Sequence, residues 1–468
     1  MVTTAEHHDV VVLGGGPGGY AAALYGAAAG LDVALVEESR VGGTCLHCGC
    51  IPAKELLQTA EVLRTVANAK EFGVDAGTPG LDLSVSQQRK QGIVDRLTKG
   101  LEGLLKGRKV TVANGRGRLA DAGSLRVVVD DGTEFEGDAV VLATGSSPRS
   151  IPGFDFDGEV ILSSDHVLAL EDVPARTAII GGGAIGCEFA SFLADVGSEV
   201  TILEALPQIL TGVDADCAAA AVKAFKKRGI TVHTGVTVEG YERNGAADGG
   251  VTLKYSGGEG ATSLAVDKVI VSVGRAPRTK DIGLEGSPVS VDERGFIEVD
   301  PYLRTTADGV FAVGDVVATP QLAHVAFAEA IVAVKTILGE HAIPIDYSKV
   351  PFGIYCHPEV AFAGLTEQQA RDAGYDVVTS KHSFAGNGRA MIIGETDGLV
   401  KVVAEKNGPL LGVHFVGPWA TELMVEGYLA VNWEALPEEV GAFIHPHPTL
   451  SELFGETLMS LTGRGLHG

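Results

Sequence analysis

One pattern occurs twice in this chain and narrows the folds open to it. The apolar, β-branched run from Asp9 to Leu13 leads into Gly14-Gly15-Gly16-Pro17-Gly18-Gly19, then an alanine-rich stretch of helical composition, then a second apolar run ending in Glu37. The run from Thr177 to Ile180 leads in the same way into Gly181-Gly182-Gly183-Ala184-Ile185-Gly186, a helical stretch, and a run ending in Glu204. Each acid stands 18 residues beyond the last glycine of its copy (Gly19 to Glu37, Gly186 to Glu204), and the copies begin 167 residues apart (Gly14 to Gly181). That distance is too long for a stacked repeat and suits two separate βαβ folds. In such a unit the glycines permit a tight turn and let the backbone approach a pyrophosphate. The helix N-terminus stabilises the phosphate charge, and the acid accepts hydrogen bonds from a ribose. Gly14, Gly16, Gly19 and Glu37 are therefore candidates for one dinucleotide, and Gly181, Gly183, Gly186 and Glu204 for a second. Two such sites suggest that electrons pass between two dinucleotides. Ala205-Leu206-Pro207-Gln208 follow Glu204, with no Arg or Lys to hold a 2′-phosphate, so NAD is favoured over NADP at the second site.

Shortly after the first copy comes Gly42-Gly43-Thr44-Cys45-Leu46-His47-Cys48-Gly49-Cys50-Ile51-Pro52-Ala53-Lys54. Proline is well placed in the first turn of a helix, and the residues after it have helical composition. Cys50 is thus expected at a helix N-terminus, where the backbone dipole favours thiolate over thiol. That is the setting of a redox cysteine. A structural disulfide, or zinc held by Cys45-Leu46-His47-Cys48, are the other readings; the zinc site needs a second ligand pair, and none is evident elsewhere.

The length allows about three domains. Apolar residues make up 45% of the chain, enough for well-formed cores, and six cysteines are too sparse for a secreted disulfide framework. A formal charge of −24 argues against a nucleic-acid partner. The first residues lack a basic signal region, and the apolar stretch from Tyr20 to Val36 is broken by Gly26, Gly30 and Asp32, so neither signal peptide nor membrane span is expected. The chain reads as cytoplasmic. The runs Ala139 to Gly145 and Lys268 to Arg275 look like the strands that close the two nucleotide folds. Gly309 to Asp315 looks like one more strand ending in Gly-Asp. From Val350 onward, alternating runs such as Leu399 to Ala404 and Leu410 to Val416 read as antiparallel strands, and Glu422 to Val431 as a helix. His447, with Glu452 five residues on, could be a general base with its orienting carboxylate. A metal pair at His445 and His447 has no supporting cluster.

Taken together, these residues resemble the pyridine-nucleotide–disulfide oxidoreductases over essentially the whole chain, most nearly the members that oxidise dihydrolipoamide. Besides the two glycine units, the resemblance rests on Gly43-Thr44-Cys45 through Cys50-Ile51-Pro52 with Lys54, on Ala143-Thr144-Gly145, and on Glu188. It continues with Val273-Gly274-Arg275, Val313-Gly314-Asp315, Leu322-Ala323-His324, Pro358-Glu359, Asn387-Gly388-Arg389-Ala390, and His447-Pro448-Thr449 with Glu452. It implies an α/β fold: two Rossmann-like FAD- and NAD-binding domains plus a C-terminal α+β dimerisation domain. The boundaries would be 1–147 for the first part of the FAD domain, 148–275 for the NAD domain, 276–347 for the second part of the FAD or central domain, and 348–468 for dimerisation.

The implied chemistry uses a Cys45–Cys50 redox disulfide, with Cys50 on the flavin side and Cys45 exchanging with the substrate sulfur. His447 would reach that disulfide from the partner subunit of a homodimer, oriented by Glu452, and Lys54 and Glu188 would form a buried pair beside the flavin. Gly43, Thr44, Gly117, Thr144, Gly145, Val236, Gly274, Arg275, Gly314, Asp315 and Ala323 join the cofactor-binding set. The substrate implied is dihydrolipoamide on the carrier domain of a 2-oxoacid dehydrogenase or glycine-cleavage complex, with NAD the acceptor. Another NAD(P)H-dependent disulfide reductase, such as glutathione reductase, is the alternative. Cys48 departs from the family pattern and is expected to be a bystander thiol. Arg278, and Pro446 after His445, are further departures that remove no chemical group.

Overall fold

The computed structural model describes residues 5–120, 124–245, 249–258 and 260–467, and they fall into two compact units. The first comprises Met1–Glu55, Ser84–Arg149 and Arg275–Tyr347; the second comprises Leu56–Leu83, Ser150–Gly274 and Ser348–Gly468.

The first unit is built on a seven-stranded sheet. Its order is Thr111–Asn114, Val33–Glu37, Glu6–Leu13, Glu134–Leu142, Arg126–Val129, Gly117–Leu119, and Val310–Ala312 also pairs with Glu134–Leu142. The central strands run parallel, in a register that sets Val10 beside Val33 and Ala139. Side chains alternate across a strand, so Val10 and Val12 enter one core while Val11 and Leu13 enter the other. Burial on both faces explains why these strands read as unbroken apolar runs. The helices Pro17–Ala28 and Ala323–Ile337 pack together against the first of these cores.

The second unit repeats the theme. Its parallel sheet runs Thr231–Thr234, Glu199–Glu204, Arg176–Ile180, Lys268–Val271, Ile161–Leu162. A three-stranded antiparallel sheet adjoins it in sequence. A separate five-stranded antiparallel sheet runs Pro351–Ile354, Glu359–Gly364, Leu410–Gly417, Leu399–Glu405, Val377–Ser383. The helices Ala420–Asn432 and Glu452–Leu461 pack on that last sheet. The fold class is therefore the one expected: parallel Rossmann-like sheets and a C-terminal antiparallel sheet with helices.

Two of the apolar runs end at glycine turns. The closing strand of the second fold stops at Val271, and the chain turns through Gly274 at φ +107°. Arg275–Pro277 then pairs antiparallel with Ser146–Pro148 in the first unit's own sheet pair. The strand before Asp315 covers only Val310–Ala312, because Gly314 (φ +75°) starts a short 3-10 turn over Gly314–Val316. Among the described residues, no helix is long and apolar enough to cross a membrane.

Candidate active site

The three glycines of each turn do three different jobs. Gly14 and Gly181 both sit at φ +103°, a left-handed conformation that a side chain would strain. A Cβ on Gly19 would lie 1.7 Å from the Gly14 carbonyl oxygen, and one on Gly186 would lie 2.1 Å from that of Gly181; only hydrogen lets helix and strand close so tightly. The middle glycines face space instead: a Cβ on Gly183 meets nothing within 4 Å, and one on Gly16 meets only Gly43 Cα, at 3.9 Å. Gly16 and Gly183 are also the N-caps of Pro17–Ala28 and Ala184–Asp195, and neither helix has a side-chain cap. Each turn therefore offers uncapped backbone N–H groups to an open space, the setting a pyrophosphate needs.

Glu37 and Glu204 close the two turns in the same way. Gly15 N–H donates to one Glu37 carboxylate oxygen at 2.6 Å and Ser39 N–H to the other at 2.9 Å. Gly182 and Leu206 N–H do the same for Glu204 at 2.6 and 2.8 Å. Both acids are buried at the C-terminal end of their strand, where the ribose of a nucleotide on that turn would sit. Val236 keeps its side chain in the second unit's core, and its N–H donates to the Glu204 carbonyl at 3.0 Å.

The remaining first-unit candidates gather around the same sheet ends. Thr144 Oγ donates to the Arg278 carbonyl at 2.7 Å, and Gly145 adopts φ +72°. Gly117 opens its strand against the core, where a Cβ would lie 2.6 Å from Leu13 Cδ1. Ser146 Oγ donates to Asp315 at 2.5 Å, and Arg275 Nε donates to Ser146 Oγ at 2.7 Å. Ala323 opens a second helix without a side-chain cap. Two uncapped helices, an acid for a ribose and an anchored Asp315 fit a flavin dinucleotide. The second unit's turn with Glu204 fits a nicotinamide dinucleotide.

The cysteine segment lies directly on the first turn. Gly42 N–H donates to the Gly15 carbonyl at 2.7 Å, and a Cβ on Gly43 would come within 2.6 Å of Gly16 Cα. Thr44 and Cys45 belong to the short helix Gly43–His47, and Cys50 is the first residue of the helix Cys50–Asn68, as Pro52 led us to expect. The Cys45 and Cys50 side chains are hydrogen-bonded to each other. That bond, burial and the negative charge of Cys50 push the Cys45 thiol far above its ordinary range, while Lys54 pulls it down. Tyr20 escaped the sequence reading: its phenol is pushed up to about 12 by burial and then by Cys45 and Cys50, which places it within electrostatic reach of both sulfurs.

In the second unit, His447 Nδ1 lies 3.0 Å from Glu452, the first residue of the helix Glu452–Leu461. The imidazole is 80% exposed, presented outward while its carboxylate is largely covered. Glu188 is buried, and its carboxylate accepts the Tyr355 N–H at 2.9 Å. His445 turns to a carboxylate of its own, Glu426 at 2.9 Å, and no metal-ligating cluster occurs among the described residues.

Comparison with known proteins matches residues 8–330 to the family described as pyridine nucleotide-disulphide oxidoreductase, and residues 350–458 to that family's dimerisation domain. The chain is 41% identical to a dihydrolipoyl dehydrogenase of Bacillus subtilis over 474 residues, covering 99% of this chain and 100% of that protein. It is 43% identical to one of Thermus scotoductus over 463 residues, covering 98% of each. Among solved structures, LpdA from Mycobacterium tuberculosis superposes with a TM-score of 0.88 at 26% identity, over 98% of this chain and 100% of that one. The HOCl-induced flavoprotein disulfide reductase RclA from Escherichia coli gives 0.85 at 28%, over 96% and 99%.

Proposed function

Since the chain belongs to the pyridine nucleotide-disulphide oxidoreductase family, and so is an FAD- and NAD(P)-dependent disulfide oxidoreductase with a Cys45–Cys50 redox pair and a dimerisation domain, we propose that it is a dihydrolipoyl dehydrogenase using NAD. The observation that carries this reading is the hydrogen-bonded cysteine pair seated on the first glycine turn. Dihydrolipoamide is favoured among disulfide-forming substrates because relatives of that name match at 41 and 43% identity over nearly the whole chain. NAD is favoured because Glu204 would repel a 2′-phosphate and no cation follows it. In this reading residues 1–147 and 276–347 hold FAD, 148–275 hold NAD, and 348–468 join two subunits.

His447, reaching the disulfide from the partner subunit and held by Glu452, takes the proton of a substrate thiol, and the thiolate attacks the Cys45 sulfur of the oxidised pair. The Cys45–Cys50 bond breaks, Cys50 leaves as thiolate and a mixed disulfide forms at Cys45. The second substrate thiol then displaces Cys45, leaving a lipoamide disulfide and a protein dithiol that carries the two electrons. A flavin held in the first unit would supply the two-electron acceptor for that pair and the hydride donor that NAD requires. Lys54 and Glu188 would lie beside the flavin and Asp315 would hold its sugar chain, with Gly117, Thr144, Gly145, Gly274, Arg275, Gly314 and Ala323 shaping the cofactor sites. The physiological partner is a lipoylated carrier domain.

The test is NAD reduction by dihydrolipoamide with the purified flavoprotein, with NADP, and glutathione disulfide plus NADPH, run alongside. Fast NAD-preferring turnover is expected. Turnover only with glutathione disulfide and NADPH would replace this reading with a glutathione-reductase-like one.

A further inference from the structure

His447 is one residue away from a second histidine whose contacts the proposed reaction does not use. His445 Nε2 lies 2.9 Å from Glu426 Oε1, on the helix Ala420–Asn432, and its side chain is only 11% exposed. On the other side the ring presses on the helix Glu452–Leu461: a Cβ on Gly455 would lie 2.7 Å from both His445 Cε1 and Nδ1. That helix is the one whose first residue, Glu452, holds His447. The imidazole of His445 is therefore wedged between two helices and tied to the first by a carboxylate. The charged groups acting on it are Glu426 from one helix and Glu452 from the other, and the main chain of Phe443 adds a hydrogen bond.

The connection to His447 is short and stiff. Only Pro446 separates the two histidines and Pro448 follows, so ring closure fixes φ at both of those residues. Thr449 Oγ donates to the Pro446 carbonyl at 2.7 Å, and Asn387 Nδ2 donates to the Thr449 carbonyl at 3.0 Å. A displacement of His445 has little slack chain in which to be absorbed before it reaches His447.

We propose that His445 and Glu426 are a positioning pair that fixes the place of the exposed His447 imidazole for proton transfer with the dithiol substrate. The inference rests on His447 being the acid/base of the proposed reaction. Neither residue of the pair touches substrate; they act through the loop. Small displacements of a proton-transfer group are costly, on the order of 100-fold for about 1 Å.

The experiment compares His445→Ala, His445→Gln, Glu426→Gln and His447→Ala in the flavin-loaded dimer, using two assays. Dihydrolipoamide oxidation by NAD needs thiol proton transfer. Ferricyanide reduction by NADH passes through the flavin without it. For His445→Ala the expected result is a fall in dihydrolipoamide kcat of about 10- to 100-fold, with KM nearly unchanged and ferricyanide turnover at the wild-type rate. Glu426→Gln should fall in the same direction by less, since an amide oxygen still accepts from the ring. His445→Gln, which keeps a donor near Glu426, should recover most of the loss. Wild-type dihydrolipoamide turnover in His445→Ala overturns the proposal, and so does equal loss in both assays, which would mark a merely structural role. If His447→Ala itself turns over at the wild-type rate, the acid/base reading fails and this inference falls with it; if only His447→Ala is impaired, the acid/base reading stands and the inference alone is lost.

Discussion

The His447 ring is held by Glu452 through a 3.0 Å contact at Nδ1, which leaves Nε2 as the nitrogen turned to solvent. A carboxylate on one ring nitrogen selects the tautomer in which the other nitrogen is the one that accepts a proton. Replacing His447 by Gln should lower dihydrolipoamide oxidation by about 10²- to 10⁴-fold, the usual worth of a positioned acid/base. Glu452→Gln should cost less, because an amide can still orient the ring without stabilising its charge. Steady-state kcat for both variants, with flavin content checked by absorbance, decides. A Glu452→Gln enzyme slower than His447→Gln would contradict this order of roles.

The cysteine pair makes a sharper distinction. Cys45 and Cys50 share a hydrogen bond, while Cys48 ends the short helix Gly43–His47 with its N–H on the Thr44 carbonyl. Cys45→Ser should abolish dihydrolipoamide oxidation while FAD stays bound, since no backbone contact with the glycine turn is lost. Cys48→Ser should keep at least half of the activity. Mass mapping of the oxidised wild-type protein should find Cys45 bridged to Cys50; a Cys45–Cys48 bridge would overturn the pairing.

What was legible in the sequence was local. The glycines and acids of the two turns and the placing of Cys50 at a helix start each depend on residues within one βαβ unit or one helical turn. Their geometry follows from spacing alone. The contact of His447 with Glu452 was legible for the same reason, five residues being a short loop. Other features depend on residues that only folding brings together. Glu329, buried with its carboxylate on the Gly314 N–H at 2.6 Å, sits beside the Asp315 turn but looks like any helical Glu in sequence. Glu426 and His445 are 19 residues apart, on a helix and a loop. The pairing beyond Val271 has the same cause: the chain turns at Gly274 so that Arg275–Pro277 can meet Ser146–Pro148, far back in the sequence.

Nicotinamide cofactor preference should be reversible at two positions. Glu204 is fixed by the N–H groups of Gly182 and Leu206, so its charge stands where the free end of the adenosine ribose would lie. Glu204→Ala removes the repulsion towards a 2′-phosphate, and adding Leu206→Arg supplies a bidentate cation. The double variant should shift the kcat/KM ratio of NADP to NAD by about 10- to 100-fold, equivalent to ~1.4–2.8 kcal/mol. An unchanged ratio would mean that Glu204 does not face the ribose.

A buried ion cluster should govern the acid stability of the second unit. Lys401, almost wholly buried, donates to Asp214 at 2.9 Å, to Asp216 at 2.8 Å and to Glu367 at 2.8 Å, joining the strand Leu399–Glu405 to the start of the helix Ala215–Lys227. Burial alone would raise the pKa of Asp214 and Asp216, but the hydrogen bond from Lys401 to Asp214, and those from Lys381 and then Lys401 to Asp216, help outweigh it and hold both below the usual range. Glu367 is lowered mainly by its bond to Lys401. Carboxylates with depressed folded values contribute stability that is complete above their ordinary range of about 4 and is lost as pH falls through the folded values. The cluster's share of the denaturant midpoint, read as the difference between wild type and Lys401→Met, should therefore be complete above about pH 5 and shrink below about 4. Lys401→Met leaves three carboxylates facing one another without their cation and should cost about 3–5 kcal/mol at neutral pH. Below pH 4, where those acids take up protons, the gap between variant and wild type should narrow. Adding Asp214→Asn, Asp216→Asn and Glu367→Gln to Lys401→Met should recover part of the loss at neutral pH, because no unpaired charge then remains buried. A Lys401→Met protein as stable as wild type at pH 7 would show that the cluster does not hold the helix to the sheet.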